Sequence, residues 1–161
     1  AITASVERSL RRLRVNNADA VLLHSDGRDE WILKESGALD ALSRLKKKGM
    51  IRAMGISTKT ASGALLATTL ADVLMVTLNP DDLSNLPAIR AAGERGVGVL
   101  IKKAFASGHA VAGEAFRLCF AEPGVSSVVI GTISPSHLEE NARAAERTIE
   151  RVHAERTDEA R

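Results

Sequence analysis

Short apolar runs alternate with amphipathic stretches along almost the whole chain, and this alternation limits the fold more than any other feature. Five runs read as strands: Asp19–His24, Ile51–Ile56, Asp72–Leu78, Val97–Ile101 and Val125–Ile130. Six stretches read as helices, at roughly residues 4–14, 36–48, 60–69, 87–95, 113–121 and 135–152. The first helix carries Val6, Leu10 and Leu13 at helical spacing. The second carries Leu39, Leu42 and Leu45, and Lys46–Lys48 suit its C-terminus before Gly49. The order is one helix followed by five strand–helix units. Strict alternation of this kind implies a parallel sheet with right-handed crossovers. Short apolar strands suit a parallel sheet covered on both faces.

Polar residues gather just beyond the strand ends: His24-Ser25-Asp26, Ser57-Thr58-Lys59, Asn79, Lys102-Lys103 and Gly131-Thr132. In a β/α barrel that edge carries the active site, and in an open sheet it is the ligand crevice. A complete eightfold barrel takes about 250 residues. This chain has 161, and its first helix has no strand before it. The expected fold is therefore α/β, a partial (β/α)8 barrel of about five βα units preceded by one helix. Residues 1–161 read as one domain. The absence of an initiator methionine, with a helix starting almost at once, gives the expectation of a processed or truncated start.

Composition narrows the function classes. Net charge is +2, from 22 basic and 20 acidic residues, too balanced for a nucleic-acid or anionic-membrane surface. Aromatics make up 2%, so base-stacking platforms are lacking. No apolar run reaches the roughly 18 residues of a membrane span. Cys119 is the single cysteine, which excludes an internal disulfide and points to the cytoplasm. It lies among Phe116, Leu118 and Phe120, as a core side chain would. Asp26, Asp29 and Glu30, and the pair Asp81-Asp82, lack the spacing of metal ligands and read as solvated loops, so no metal is expected.

Near the chain end, Ser127–Ile130 reads as a buried strand, followed by Gly131 and a polar helix start. Ser134 can cap that helix and Pro135 suits its first turn, while Ser136 and Glu139 have capping-box spacing. Unpaired N–H groups and the positive end of the helix dipole favour a phosphate there. The chain has no tyrosine.

Taken in order, these motifs resemble the aldo-keto reductases. Ser5–Leu13 is similar to the helix before the family's fourth barrel strand, and Asp19–Ser25 to that strand with its active-site histidine. Leu39–Arg52, ending Lys48-Gly49-Met50-Ile51-Arg52, and then Met54-Gly55-Ile56-Ser57, resemble the segment that follows. Asn79-Pro80 matches a dipeptide after strand six, and Gly131–Asn141 matches the nucleotide clamp. The resemblance covers nearly the whole chain and implies the C-terminal five-eighths of the barrel.

It also implies reduction of aldehydes and ketones with a nicotinamide dinucleotide, NADP first and NAD possible, acting on a small carbonyl substrate. The family's histidine maps onto His24, which would orient the carbonyl. Its tyrosine, aspartate and lysine belong to earlier strands, so this segment by itself is expected to be inactive. Ser57 and Thr58 would hold the nicotinamide carboxamide, or cap a helix. Met75 stands where many members have glutamine, and Lys102 where many stack a tyrosine. Lys102 or Lys103, with Phe105, Ser107 and Gly108, would lie near the pyrophosphate; adjacent strand residues face opposite ways, so one of the two lysines is expected at the ligand. Gly131, Thr132 and Ser134 would meet the region of the 2′-phosphate, and Glu140 and Asn141 the adenine. His137 stands where many members have an arginine for that phosphate.

Two other readings fit the residues. A strand-end lysine, Lys102 or Lys103, can form a Schiff base as in aldolases. Alternatively the segment is an inactive half-barrel that binds nucleotide or assembles with another chain, since open barrel edges favour self-association.

Overall fold

In the computed structural model, residues 2–108 and 110–159 are described. Helix α1 spans Ile2–Leu13 and strand β1 Ala18–His24. Helices α2 (Asp29–Lys34) and α3 (Ala38–Lys47) lead to β2 (Ile51–Ser57). Then come α4 (Ala61–Ala67), β3 (Val73–Thr77), α5 (Leu86–Arg95) and β4 (Gly98–Lys102). A 3-10 turn at Ala106–Gly108 precedes α6 (Ala112–Phe120), β5 (Val125–Val128) and α7 (Pro135–Glu159).

The strands form one sheet in the order β1-β2-β3-β4-β5, every pair parallel. The alternation therefore gives the expected α/β architecture. Burial alternates along β3 and β4 with the period of two that a strand imposes. Leu74, Val76, Val99 and Ile101 are fully buried, against Ala64 and Ala67 of α4, Ile89 and Ala92 of α5, and Cys119 of α6. Full burial of each of the Leu, Val and Ile side chains contributes about 1.5–3 kcal/mol. A second cluster joins Val6 and Leu10 of α1 to Leu42 and Leu45 of α3 and to Ile51.

The intervening residues Val73, Met75, Thr77 and Leu100 face the other way and are half-buried. The expectation of strands covered on both faces is thus corrected: helices cover one face, and the other is only half-buried. The buried final strand is corrected too. β5 stops at Val128, and Ser126 and Ser127 are exposed. It pairs only with β4 among the described residues, and it lacks a second flanking strand to shield it.

Two further differences concern helices. Residues 29–34 form α2, where no element was expected. Six residues are too few to show a periodic stripe, although Asp29-Glu30 at the start and Lys34 at the end match the helix dipole. Helix α7 runs to Glu159 instead of ending near Val152. Val152 is buried, and Arg156 donates to the carbonyls of Phe120 and Ala121 at 2.9 and 3.0 Å. Those bonds satisfy orphan carbonyls at the end of α6 and tie α7 down. Among the described residues no helix is long and apolar enough to cross a membrane.

Gly55 sets the spacing at the centre of the sheet. It pairs with Val73, and a Cβ there would run into the Val73 backbone carbonyl. Gly55→Ala is expected to destabilise the fold by about 1–3 kcal/mol. Urea unfolding should show this as a lower midpoint with an unchanged slope.

Candidate functional site

The sheet register places one residue from every strand on a single rung. His24 pairs with Ser57, Ser57 with Met75, Met75 with Leu100, and Leu100 with Ser127. Directly paired residues share a face, so all five belong to the open face near the C-terminal edge of the sheet. A register irregularity at Val99/Leu100 keeps β5 in step, and the Ser126 hydroxyl accepts there from the Val99 N–H at 3.1 Å. His24 is exposed at the edge of this rung.

Lys102 lies two residues beyond Leu100 and returns to the same face. Its Nζ donates to the Ser57 hydroxyl at 2.9 Å and to the Thr58 carbonyl at 2.6 Å. Partial burial lowers its pKa from the ordinary lysine value; the charges of Lys103 and Lys59 act in the same direction, and Asp29 opposes them. Ser57 and Thr58 are themselves buried. Neither caps the next helix. That role falls to Thr60, whose side chain accepts from the Gly63 N–H at 3.1 Å.

Beneath this group lies Asp29, only 1% exposed. Its carboxylate accepts from the Thr60 N–H (2.7 Å), the Thr60 hydroxyl (2.6 Å) and the Lys59 N–H (3.0 Å). Gly63 makes room for it: a Cβ there would stand 2.6 Å from Oδ2. Reading Asp29 as part of a solvated loop is therefore corrected. Orphan N–H groups before a helix need an acceptor, and this carboxylate supplies one from another segment. Burial pushes the Asp29 pKa up, but hydrogen bonds from Ser25, Thr60 and Lys59 outweigh it and leave it below the usual 3.8.

Asn79, also buried, fixes the loop after β4. Its Nδ2 donates to the Lys103 carbonyl at 3.0 Å, and its Oδ1 accepts from the Asp81 N–H at 3.0 Å. Lys103 has a left-handed backbone, φ 57°, which Asn79 helps to hold. The adjacent lysines therefore diverge. Lys102 turns to Ser57, whereas Lys103 lines a 310 Å³ cavity with Phe105, Gly108, Val129, Ile130 and Gly131. Phe105 is braced edge-on by Phe116, with ring centroids 5.2 Å apart. Ser107 lies in the 3-10 turn beside this cavity.

At the start of α7, Ser134 behaves as a cap. Its hydroxyl accepts from the His137 N–H at 3.4 Å and its carbonyl from the Leu138 N–H at 3.0 Å. The Thr132 hydroxyl accepts from the Ser134 N–H at 3.2 Å. Glu139 pairs with Arg143 at 2.9 Å, so this ion pair, not a Ser136–Glu139 capping box, engages its carboxylate. A 250 Å³ depression on α7 is lined by Ser136, Glu139, Glu140, Arg143 and Arg147. His137 and Asn141 do not line it. Arg143 and Arg147 were not singled out from the sequence, although the spacing of 136, 140, 143 and 147 puts them on one helical face.

Other titratable groups have structural roles. Cys119 is fully buried and desolvation raises its thiol to about 12. Asp82 accepts from the backbone and hydroxyl of Ser84 in an exposed loop, and Asp26 pairs with Arg28. Among the described residues no cluster of three or more His, Cys, Asp or Glu side chains could hold a metal.

A parallel βα sheet with polar groups gathered at its C-terminal edge is an α/β architecture of the kind that makes up part of a β/α barrel. Residues 1–110 match the aldo/keto reductase family model, and the chain belongs to that family. A Pseudomonas aeruginosa protein assigned to the aldo-keto reductases is 42% identical, with a TM-score of 0.87. That match covers 91% of this chain and 59% of the P. aeruginosa protein. The holo form of an aldo-keto reductase from Bacillus halodurans shares the fold at 20% identity, TM-score 0.79, over 94% of this chain and 66% of its own. An aldo/keto reductase from Brucella melitensis does so at 16% identity, TM-score 0.63, over 91% and 66%. The five strands thus correspond to part of the family's barrel. No curated protein matches the chain.

Two outcomes check this description. Asp29→Ala should lower stability by about 3 kcal/mol, because it strands buried donors. Asp29 stabilises fully above pH 3.8, and its contribution is lost as pH falls through the lower folded value. Asp29→Asn should therefore flatten the acid limb of stability against pH, measured by urea unfolding between pH 2 and 5. Native Cys119 should resist iodoacetamide at pH 8 and react only in denaturant, as followed by mass spectrometry.

Proposed function

We propose that the chain carries the dinucleotide-binding portion, and one substrate-side histidine, of an NAD(P)H-dependent carbonyl reductase. The observation that carries this reading is the direct pairing of His24 with Ser57 on one open rung, in a chain of this family. Bound nicotinamide dinucleotide supplies hydride to a carbonyl carbon. Ser57 accepts a hydrogen bond from Lys102, and its own O–H proton stays free to donate to the carboxamide oxygen. Thr58 stands next to it and completes this end of the site.

His24 presents an imidazole at the adjoining rung position, where it orients the substrate carbonyl and donates to its oxygen. The cavity of Lys103, Phe105, Gly108 and Gly131 is suited to the pyrophosphate, with the Lys103 ammonium as counter-charge. Thr132, Ser134 and His137 at the α7 start, with Glu140 and Asn141 one turn on, serve the adenosine end. NADP is the first choice and NAD the second; Arg147 lies in the depression on this helix, where Arg143 is paired with Glu139.

The substrate is a small carbonyl compound, and the cytoplasm is the fitting compartment. The family's tyrosine, aspartate and lysine would come from strands outside this segment, which alone is expected to be inactive. The outer edges of β1 and β5 are where such strands, or a second copy, would pair.

Titration of NADPH into the chain, followed by the change in cofactor fluorescence, tests the reading. Saturable binding is expected, weakened about tenfold by Ser57→Ala and left intact by His24→Ala. No saturable binding of NADPH or NADH would overturn it. In an enzyme that supplies the remaining strands, His24→Ala should lower kcat by about a hundredfold with nucleotide affinity unchanged.

A further inference from the structure

Lys102 has a bonding capacity that the cofactor reading does not use. An ammonium carries three N–H donors. Two are engaged, on the Ser57 hydroxyl and the Thr58 carbonyl, and no carboxylate pairs with Lys102 among the described residues. The third donor belongs to a half-buried group on the open face, beside the rung that holds His24.

Charge in the neighbourhood is lopsided. Lys59 and Lys103 add positive charge, and the one opposing carboxylate, Asp29, is committed to Lys59 and Thr60. Lys103 lines the cavity on the β5 side, and Lys102 is not part of that cavity's lining. The two lysines thus serve different places, one beside the β5 loop and the other beside Ser57 and His24.

We propose that the third N–H of Lys102 binds an anionic oxygen of the ligand that also meets His24, so that the site selects carbonyl compounds bearing a carboxylate. This rests on the function proposed above, because it takes His24 as the carbonyl-orienting group. A charge-assisted bond from a fixed, partly desolvated ammonium is stronger than one from a surface lysine. The ammonium of Lys102 is held at both Ser57 and Thr58, so little side-chain freedom remains to be lost on binding. Partial burial and the two neighbouring lysines favour loss of the Lys102 proton, so the preference should fade as pH rises toward its lowered pKa. The charged groups acting on it are Lys59, Lys103 and Asp29.

The test uses two alcohols that form no imine with lysine: 4-(hydroxymethyl)benzoate and its methyl ester. Each is titrated calorimetrically into the chain at pH 7, with and without saturating NADP. The carboxylate should bind about tenfold more tightly than the ester. Lys102→Met should abolish that preference and Lys102→Arg should retain most of it, with circular dichroism confirming that both variants fold. Equal affinities in the unsubstituted chain, or a preference that survives Lys102→Met, would overturn the proposal. Displacement of the carboxylate by NADP would also overturn it, by assigning Lys102 to the cofactor's phosphates. Failure of NADP to bind at all, with the Lys102-dependent preference intact, would instead count against the cofactor reading alone.

Discussion

Five strands in parallel register bring His24, Ser57, Met75, Leu100 and Ser127 to one level of the sheet. Everything of chemical interest depends on that rung. Residues far apart in the chain come to one level and one face, because a parallel ladder fixes both height and side. The spacing itself depends on Gly55, whose missing side chain lets β2 and β3 approach two residues before this level. The helices on the opposite face make the register strict, since a one-residue slip would expose Leu74, Val76, Val99 and Ile101.

Polar contacts then stabilise the loops above the rung. Asp29 gathers the backbone of Lys59 and Thr60, Asn79 holds the Lys103 carbonyl, and Lys102 bridges β4 to the end of β2. Each contact joins segments distant in sequence, and each satisfies groups that would be costly to bury unpaired. Together they separate two lysines that are adjacent in the chain. One faces the Ser57 and His24 side, the other the cavity beside the β5 loop.

Much of this was legible in the sequence. The five strands and six of the seven helices follow from apolar periodicity, and the polar strand ends mark the functional edge. Ser134 as a cap, Pro135 as the first helical residue and Cys119 as a core side chain follow from local chemistry. Three features were not legible. Helix α2 is too short to show a stripe. The length of α7 depends on Arg156 reaching the end of α6. The burial of Asp29 depends on Gly63, which lies over thirty residues away and offers no signal of its own.

The sequence by itself determined the element order, the parallel sheet and the family, because periodicity and motif spacing are local properties of a chain. Only the tertiary structure decided which residues touch: that Lys102 bonds Ser57 and Thr58, that Lys103 lines a separate cavity, and that Asp29 carries the loop after β2. Those facts depend on cross-strand register and on the direction each side chain takes when its backbone is packed. A hydrogen bond is specified within a few tenths of an ångström, and sequence spacing cannot fix positions that finely between segments brought together by folding.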